Sequence, residues 1–92
     1  MNKRLKKKLF RKVYGASRHN RNILSAAKKC GCFFCGRIYE PSKIREWTDK
    51  GRTAICPYCF VDSVITGFRW MPLSKKLLGN MYETFFGGDE DE

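Results

Sequence analysis

Two cysteine pairs constrain this 92-residue chain more than any other feature. Cys32 and Cys35 are separated by two residues, Cys56 and Cys59 likewise, and twenty residues lie between the pairs. That is the spacing of a four-thiolate tetrahedral ion site, with a tight turn in each pair aiming two sulfurs and nearby backbone N–H groups at one ion. Gly36 supplies the positive φ that such a turn often needs. A chain this short buries too little apolar surface to be comfortably stable, whereas a structural zinc ion contributes about 10–16 kcal/mol at neutral pH. Four free or redox-active thiols are the plainer alternative, but two pairs at this spacing point to metal. Cys30, the fifth cysteine, either competes as a ligand or is a small buried residue.

The run Cys32-Phe33-Phe34-Cys35-Gly36-Arg37-Ile38-Tyr39-Glu40-Pro41, with Cys56-Pro57-Tyr58-Cys59, resembles the paired knuckles of zinc ribbons and the iron-binding knuckles of rubredoxins. The likeness covers roughly residues 32–60. The segment from Ile44 to Ile65, with Glu46-Trp47-Thr48-Asp49 and Asp62-Ser63-Val64-Ile65, is further similar to small bacterial zinc-ribbon proteins, a likeness that names no activity. What the resemblance implies is an α+β fold built on a small zinc-ribbon-like or rubredoxin-like module, with Cys32, Cys35, Cys56 and Cys59 holding one structural Zn2+. Three features turn the reading from iron to zinc. The interval between pairs is shorter than in typical rubredoxins, Phe60 stands where the second knuckle normally has Gly, and the chain is basic where rubredoxins are generally acidic.

Charge divides the chain unevenly. Residues 1–29 carry Lys3, Arg4, Lys6, Lys7, Lys8, Arg11, Lys12, Arg18, Arg21, Lys28 and Lys29 and no acid, a charge of +11. Residues 30–88 carry +3, and the last four residues, 89–92, are all acidic. The chain therefore reads as a basic helical arm (1–29), a four-cysteine module with a C-terminal helix (30–88) and a solvated acidic tail (89–92). Eleven cations without one acid repel each other in isolation, and neutralising phosphates is their simplest use. Phe10, Tyr14, Asn20 and Asn22, interleaved with the cations, can stack on bases or bond sugars and phosphates, which favours RNA or single strands over duplex reading. A plainer use is a solvated face whose apolar side packs on the module. Lying on an anionic membrane, or in an acidic groove of a partner, is another.

Leu5, Leu9 and Val13 recur every four residues beside Phe10 and Tyr14, which predicts a helix over about residues 3–14. Gly15 stops it, and Ser17 can cap a second helix reaching about Lys29. Arg37-Ile38-Tyr39 reads as a strand, Pro41 as the start of a short helix placing Ile44 and Trp47 on one face, Asp49-Lys50-Gly51 as a turn and Thr53-Ala54-Ile55 as a returning strand. Val61, Val64 and Ile65 fit helix or strand equally. Ser74 can cap a last helix in which Leu77, Met81 and Phe85 share a face despite Gly79, with Tyr82 and Phe86 read as core.

Four cysteines close the coordination shell, so hydrolysis at the metal is not expected. His19 sits among Arg18, Asn20 and Arg21 with no carboxylate nearby in sequence, and Glu40, Glu46, Asp49 and Asp62 lack a converging catalytic partner; the expectation is no enzyme. No apolar stretch reaches the roughly 20 residues that cross a bilayer, and the cysteine usage fits a reducing compartment, so a cytoplasmic protein is expected. The leading expectation is a non-catalytic zinc protein that binds nucleic acid or a ribonucleoprotein through its basic arm. An alternative is an accessory or inhibitory interaction module that docks on an acidic protein, using the basic arm and a patch at Phe68, Arg69, Trp70 and Met71. A rubredoxin-like iron electron carrier is the lesser alternative.

Overall fold

The computed structural model describes residues 3–69 and 71–87, with side chains from Lys7 onward. Leu5 and the cations Lys3, Arg4 and Lys6 therefore lie outside the described side chains, and Trp70 and the acidic tail outside the described residues. Helix α1 spans Lys3–Gly15 and the short α2 Arg21–Ser25. Among the described residues five strands follow, β1 Cys30–Cys32, β2 Ile38–Tyr39, β3 Glu46–Thr48, β4 Thr53–Ile55 and β5 Val64–Ile65, with a 3-10 turn at Pro41–Lys43 between β2 and β3. Helix α3, Lys75–Phe86, ends the fold. The protein is thus α+β, with helices at both ends of the chain.

Both sheets are antiparallel. In the larger one β1 is central, pairing Cys30 with Tyr39 and Gly31 with Ile38 on one side, and Cys32 with Val64 on the other. The smaller is the β3–β4 hairpin, with Trp47 opposite Ala54. Side chains that alternate along a strand point to opposite faces, and each face here has its own core. Cys30, Cys32, Tyr39 and Val64 join Leu24, Ile44, Ala54 and Cys56 on the face that carries the sulfurs. Ile38, Phe33 and Ile65 join Phe10, Val13, Leu77, Leu78 and Met81 on the face covered by α1 and α3. The approach of α3 is close enough that a Cβ on Gly31 would meet Leu78 Cδ1 at 2.8 Å.

Both long helices follow their apolar periodicity. Phe10 and Val13 of α1 are buried against α3, so the basic segment is fastened to the rest by its apolar side. Ser74 caps α3, its Oγ accepting from Leu77 N at 3.0 Å.

The region between the long helices departs from expectation. The helix expected to run from Ser17 to Lys29 is confined to five residues. Ser17 Oγ instead donates to Tyr14 O at 2.7 Å and closes the end of α1. Asn20 is buried to 2% exposure: its Nδ2 donates to Val64 O at 2.8 Å, and its Oδ1 accepts from Ala54 N at 3.1 Å. This side chain ties the small hairpin to the larger sheet, which removes it from the groups available to sugars and phosphates. Phe10 is buried and Tyr14 packs against Phe33 and Phe85, so neither offers a face to a base, and of the four groups interleaved with the cations Asn22 alone is exposed. Trp47 is not on a helical face with Ile44; it belongs to β3, where the Arg21 guanidinium lies 4.4 Å from its ring centre. Val64 and Ile65 resolve as strand, and Cys30–Cys32 forms a strand that its glycine and cysteines concealed.

Candidate metal centre

The two cysteine pairs fold into the same turn. In the first, Gly36 N donates to Cys32 O at 2.8 Å and Cys32 N to Arg37 O at 3.0 Å; in the second, Phe60 N donates to Cys56 O at 2.9 Å and Cys56 N to Val61 O at 3.0 Å. The equivalence extends to the sulfurs. Backbone N–H groups of Phe34 and Cys35 serve Cys32, and those two and three residues on, Tyr58 and Cys59, serve Cys56. Each turn leaves its strand with one cysteine at or just beyond the strand end, and the strand after the second turn, β5, pairs antiparallel with β1 and sets Val64 opposite Cys32.

All four sulfurs lie within 4.8 Å of one another. Cys32 Sγ is 3.5 Å from Cys59 Sγ, and Cys35 Sγ is 3.8 Å from Cys56 Sγ. A tetrahedral ion with metal–sulfur bonds near 2.3 Å requires sulfurs about 3.8 Å apart. Both contacts lie close to that spacing, so the donor set fits a metal ion, and four thiolates suit either zinc or iron.

Local environment divides the thiols. Burial pushes Cys32 upward against the N–H groups of Cys35 and Phe34, and burial also raises Cys59. Burial acts to raise Cys56 too, but the neighbouring Tyr39 hydroxyl and the N–H groups of Tyr58 and Cys59 outweigh it and bring this thiol down to about 7. The Tyr39 hydroxyl is itself buried and meets no nitrogen or oxygen partner among the described residues. Cys56 sulfur is the polar neighbour it can serve, the kind of outer contact that orients a metal ligand. Cys30 does not join the four converging sulfurs: it is fully buried, and burial, followed by the charge of Cys56, pushes its thiol up to about 12.

The basic residues of the N-terminal third are spread over the surface. Lys7, Lys8, Arg11 and Lys12 are exposed on α1, and Arg18, Lys28 and Lys29 are exposed on the connections. Arg21 is engaged, since besides covering Trp47 its Nη1 donates to Gly51 O at 2.8 Å. His19 has a carboxylate partner after all: Asp49 Oδ2 lies 3.9 Å from its Nε2, an attraction that operates when the imidazole is protonated. Their separation of thirty positions in the sequence hid the contact. Phe68 and Met71 bond each other's backbone across a tight turn and pack partly buried against the helical core, leaving Arg69 exposed.

Sequence reasoning missed an aromatic surface. Tyr82 and Phe86, expected in the core, are only partly covered, and with Phe34 they form a cluster of touching rings, Phe34–Tyr82 at 5.8 Å and Phe34–Phe86 at 5.1 Å. A stripe one residue wider than α3 can bury was the available signal. Among the described residues no helix is long and apolar enough to cross a membrane.

Fold and site together define a small α+β protein with a four-cysteine metal-binding centre. Comparison with protein-family models, with curated proteins and with solved structures gives no match.

Proposed function

We propose that this is a non-catalytic zinc protein of the cytoplasm whose N-terminal basic surface binds nucleic acid, or a ribonucleoprotein, with RNA or single strands favoured. The observation that carries the reading is the uncompensated charge of α1, whose four exposed cations make no ion pair among the described residues. Phe10 and Val13 are buried against α3, while Lys7, Lys8, Arg11 and Lys12 remain exposed. A cationic face held on a folded body, rather than on a loose tail, loses little entropy when it meets a line of phosphates, and the released counterions drive association. Cys32, Cys35, Cys56 and Cys59 would hold the zinc, and a shell of four thiolates leaves no position for substrate, which supports a structural role.

Removing residues 1–29 would take Phe10, Val13, Asn20 and Leu24 out of the core, so the test is neutralisation instead. The variant Lys7→Gln, Lys8→Gln, Arg11→Gln, Lys12→Gln keeps the buried face. It is expected to bind single-stranded RNA at least about 10-fold more weakly at low salt, with a shallower salt dependence. Unchanged binding would sink the reading.

A protein-interaction module is the second reading, favoured by the cluster of Phe34, Tyr82 and Phe86, since half-exposed touching rings are typical of docking surfaces. Retention of a protein partner in high salt, with no nucleic acid carried along, would support it. A red-brown protein with visible absorption would support the iron alternative, and colourless protein releasing one zinc per chain would remove it.

A further inference from the structure

The second cysteine turn presents a residue that its backbone does not favour. Phe60 has φ +65°, in the left-handed region where Gly36 sits in the first turn at +80°. It is also 70% exposed, belongs to neither core, and makes no ring contact among the described residues. A large apolar ring in a strained position normally repays the strain by burial, and this one does not.

Its surroundings are cationic and aromatic. Phe60 and Tyr58 border an open groove of about 550 Å3 that Lys43 and Arg45 also line, with Glu46 the single acid lining it. Lys43 and Arg45 have no ion-pair partner among the described residues. Tyr58, 44% exposed, is held in place by the Arg37 guanidinium 4.8 Å from its ring centre and by an edge contact with Tyr39 at 5.3 Å. A fixed ring, a second ring largely open to solvent and flanking cations make up the arrangement that stacks unpaired bases while neutralising the phosphates between them.

We infer that the Phe60–Tyr58 surface of the second cysteine turn is a stacking site for unpaired nucleobases, with Lys43 and Arg45 receiving the adjoining phosphates. This rests on the nucleic-acid reading above and places base contacts on a different surface from the cations of α1. The charge of the groove favours a polyanion over a protein surface poor in acids, and the planar free ring favours one that carries bases.

The variant Phe60→Gly tests it cleanly, because relief of the left-handed strain is expected to raise the melting temperature rather than unfold the protein. Binding of the metal-loaded full chain to an oligouridylate and to inorganic polyphosphate, a polyanion without bases, is measured for parent, Phe60→Gly and Phe60→Trp. The expected result is about a 5- to 20-fold loss of oligouridylate affinity in Phe60→Gly. Polyphosphate binding should be unchanged and Phe60→Trp should match or exceed the parent. Equal oligouridylate binding by parent and Phe60→Gly overturns the stacking site alone and leaves the ring to a protein partner. Equal losses toward both polyanions also overturn it. Failure of the parent to bind either polyanion overturns the nucleic-acid reading with it.

Discussion

Gly36 and Phe60 occupy the same place in two copies of one turn, with φ values of +80° and +65°. Each follows the second cysteine of its pair and donates its N–H back to the carbonyl of the first. A Cβ at Gly36 would meet nothing within 4 Å, so backbone preference alone separates the two positions. The left-handed conformation costs an L-residue about 1–2 kcal/mol. Phe60→Gly should therefore stabilise the protein by about 1 kcal/mol and Gly36→Ala destabilise it by a similar amount. Thermal melts of the metal-loaded variants check both signs. A fall in melting temperature for Phe60→Gly would mean that the ring has a packing role that its exposure hides.

Asn20 joins the two sheets. Replacing it with Ala would strip Ala54 N–H and Val64 C=O of their partner in a site that water does not reach. Each orphaned buried group costs about 1–3 kcal/mol. Asn20→Ala is expected to lose about 2–4 kcal/mol in denaturant unfolding and to expose the Ala54 amide to hydrogen exchange. A loss below about 0.5 kcal/mol, the range of a surface substitution, would contradict the role.

Gly79 lies on the exposed side of α3, and a Cβ placed there has nothing within 4 Å. Gly79→Ala removes a helix-interior glycine without adding a clash, so it should stabilise by about 0.5–1 kcal/mol. Chemical denaturation reads the gain as a higher midpoint with an unchanged slope.

The four sulfurs close the larger sheet against the hairpin, and removing the ion should cost the fold rather than a surface property. A chelator is expected to collapse the cooperative thermal transition, and Cys56→Ser to do the same without chelator. Each ligand sulfur must give up its proton to solvent as it binds the metal, so affinity falls as pH is lowered and ion uptake acidifies an unbuffered solution. A chelated protein that keeps its near-ultraviolet circular dichroism would contradict this account.

The cysteine spacing made the centre legible in the sequence, because a two-residue turn determines where its sulfurs point. The long helices were legible for a related reason: the Phe10–Val13 and Leu77–Met81 periodicities bury one face each. What escaped were non-local contacts. Asn20 reaches partners thirty-four and forty-four residues away. His19 meets Asp49 across the fold, and β1, written Cys-Gly-Cys, has no β-forming composition and is held by pairing on both sides. The second helix failed because Asn20 is claimed by the sheets and only Leu24 finds core to enter.

Whether a metal-held body uses its basic surface for nucleic acid is tested most directly by equilibrium binding of the metal-loaded full chain to single-stranded RNA, single-stranded DNA and duplex DNA across a salt series. The account predicts binding to single strands at physiological salt, with a log–log salt slope equivalent to roughly 4–8 phosphates. No binding to any of the three at physiological salt would contradict it.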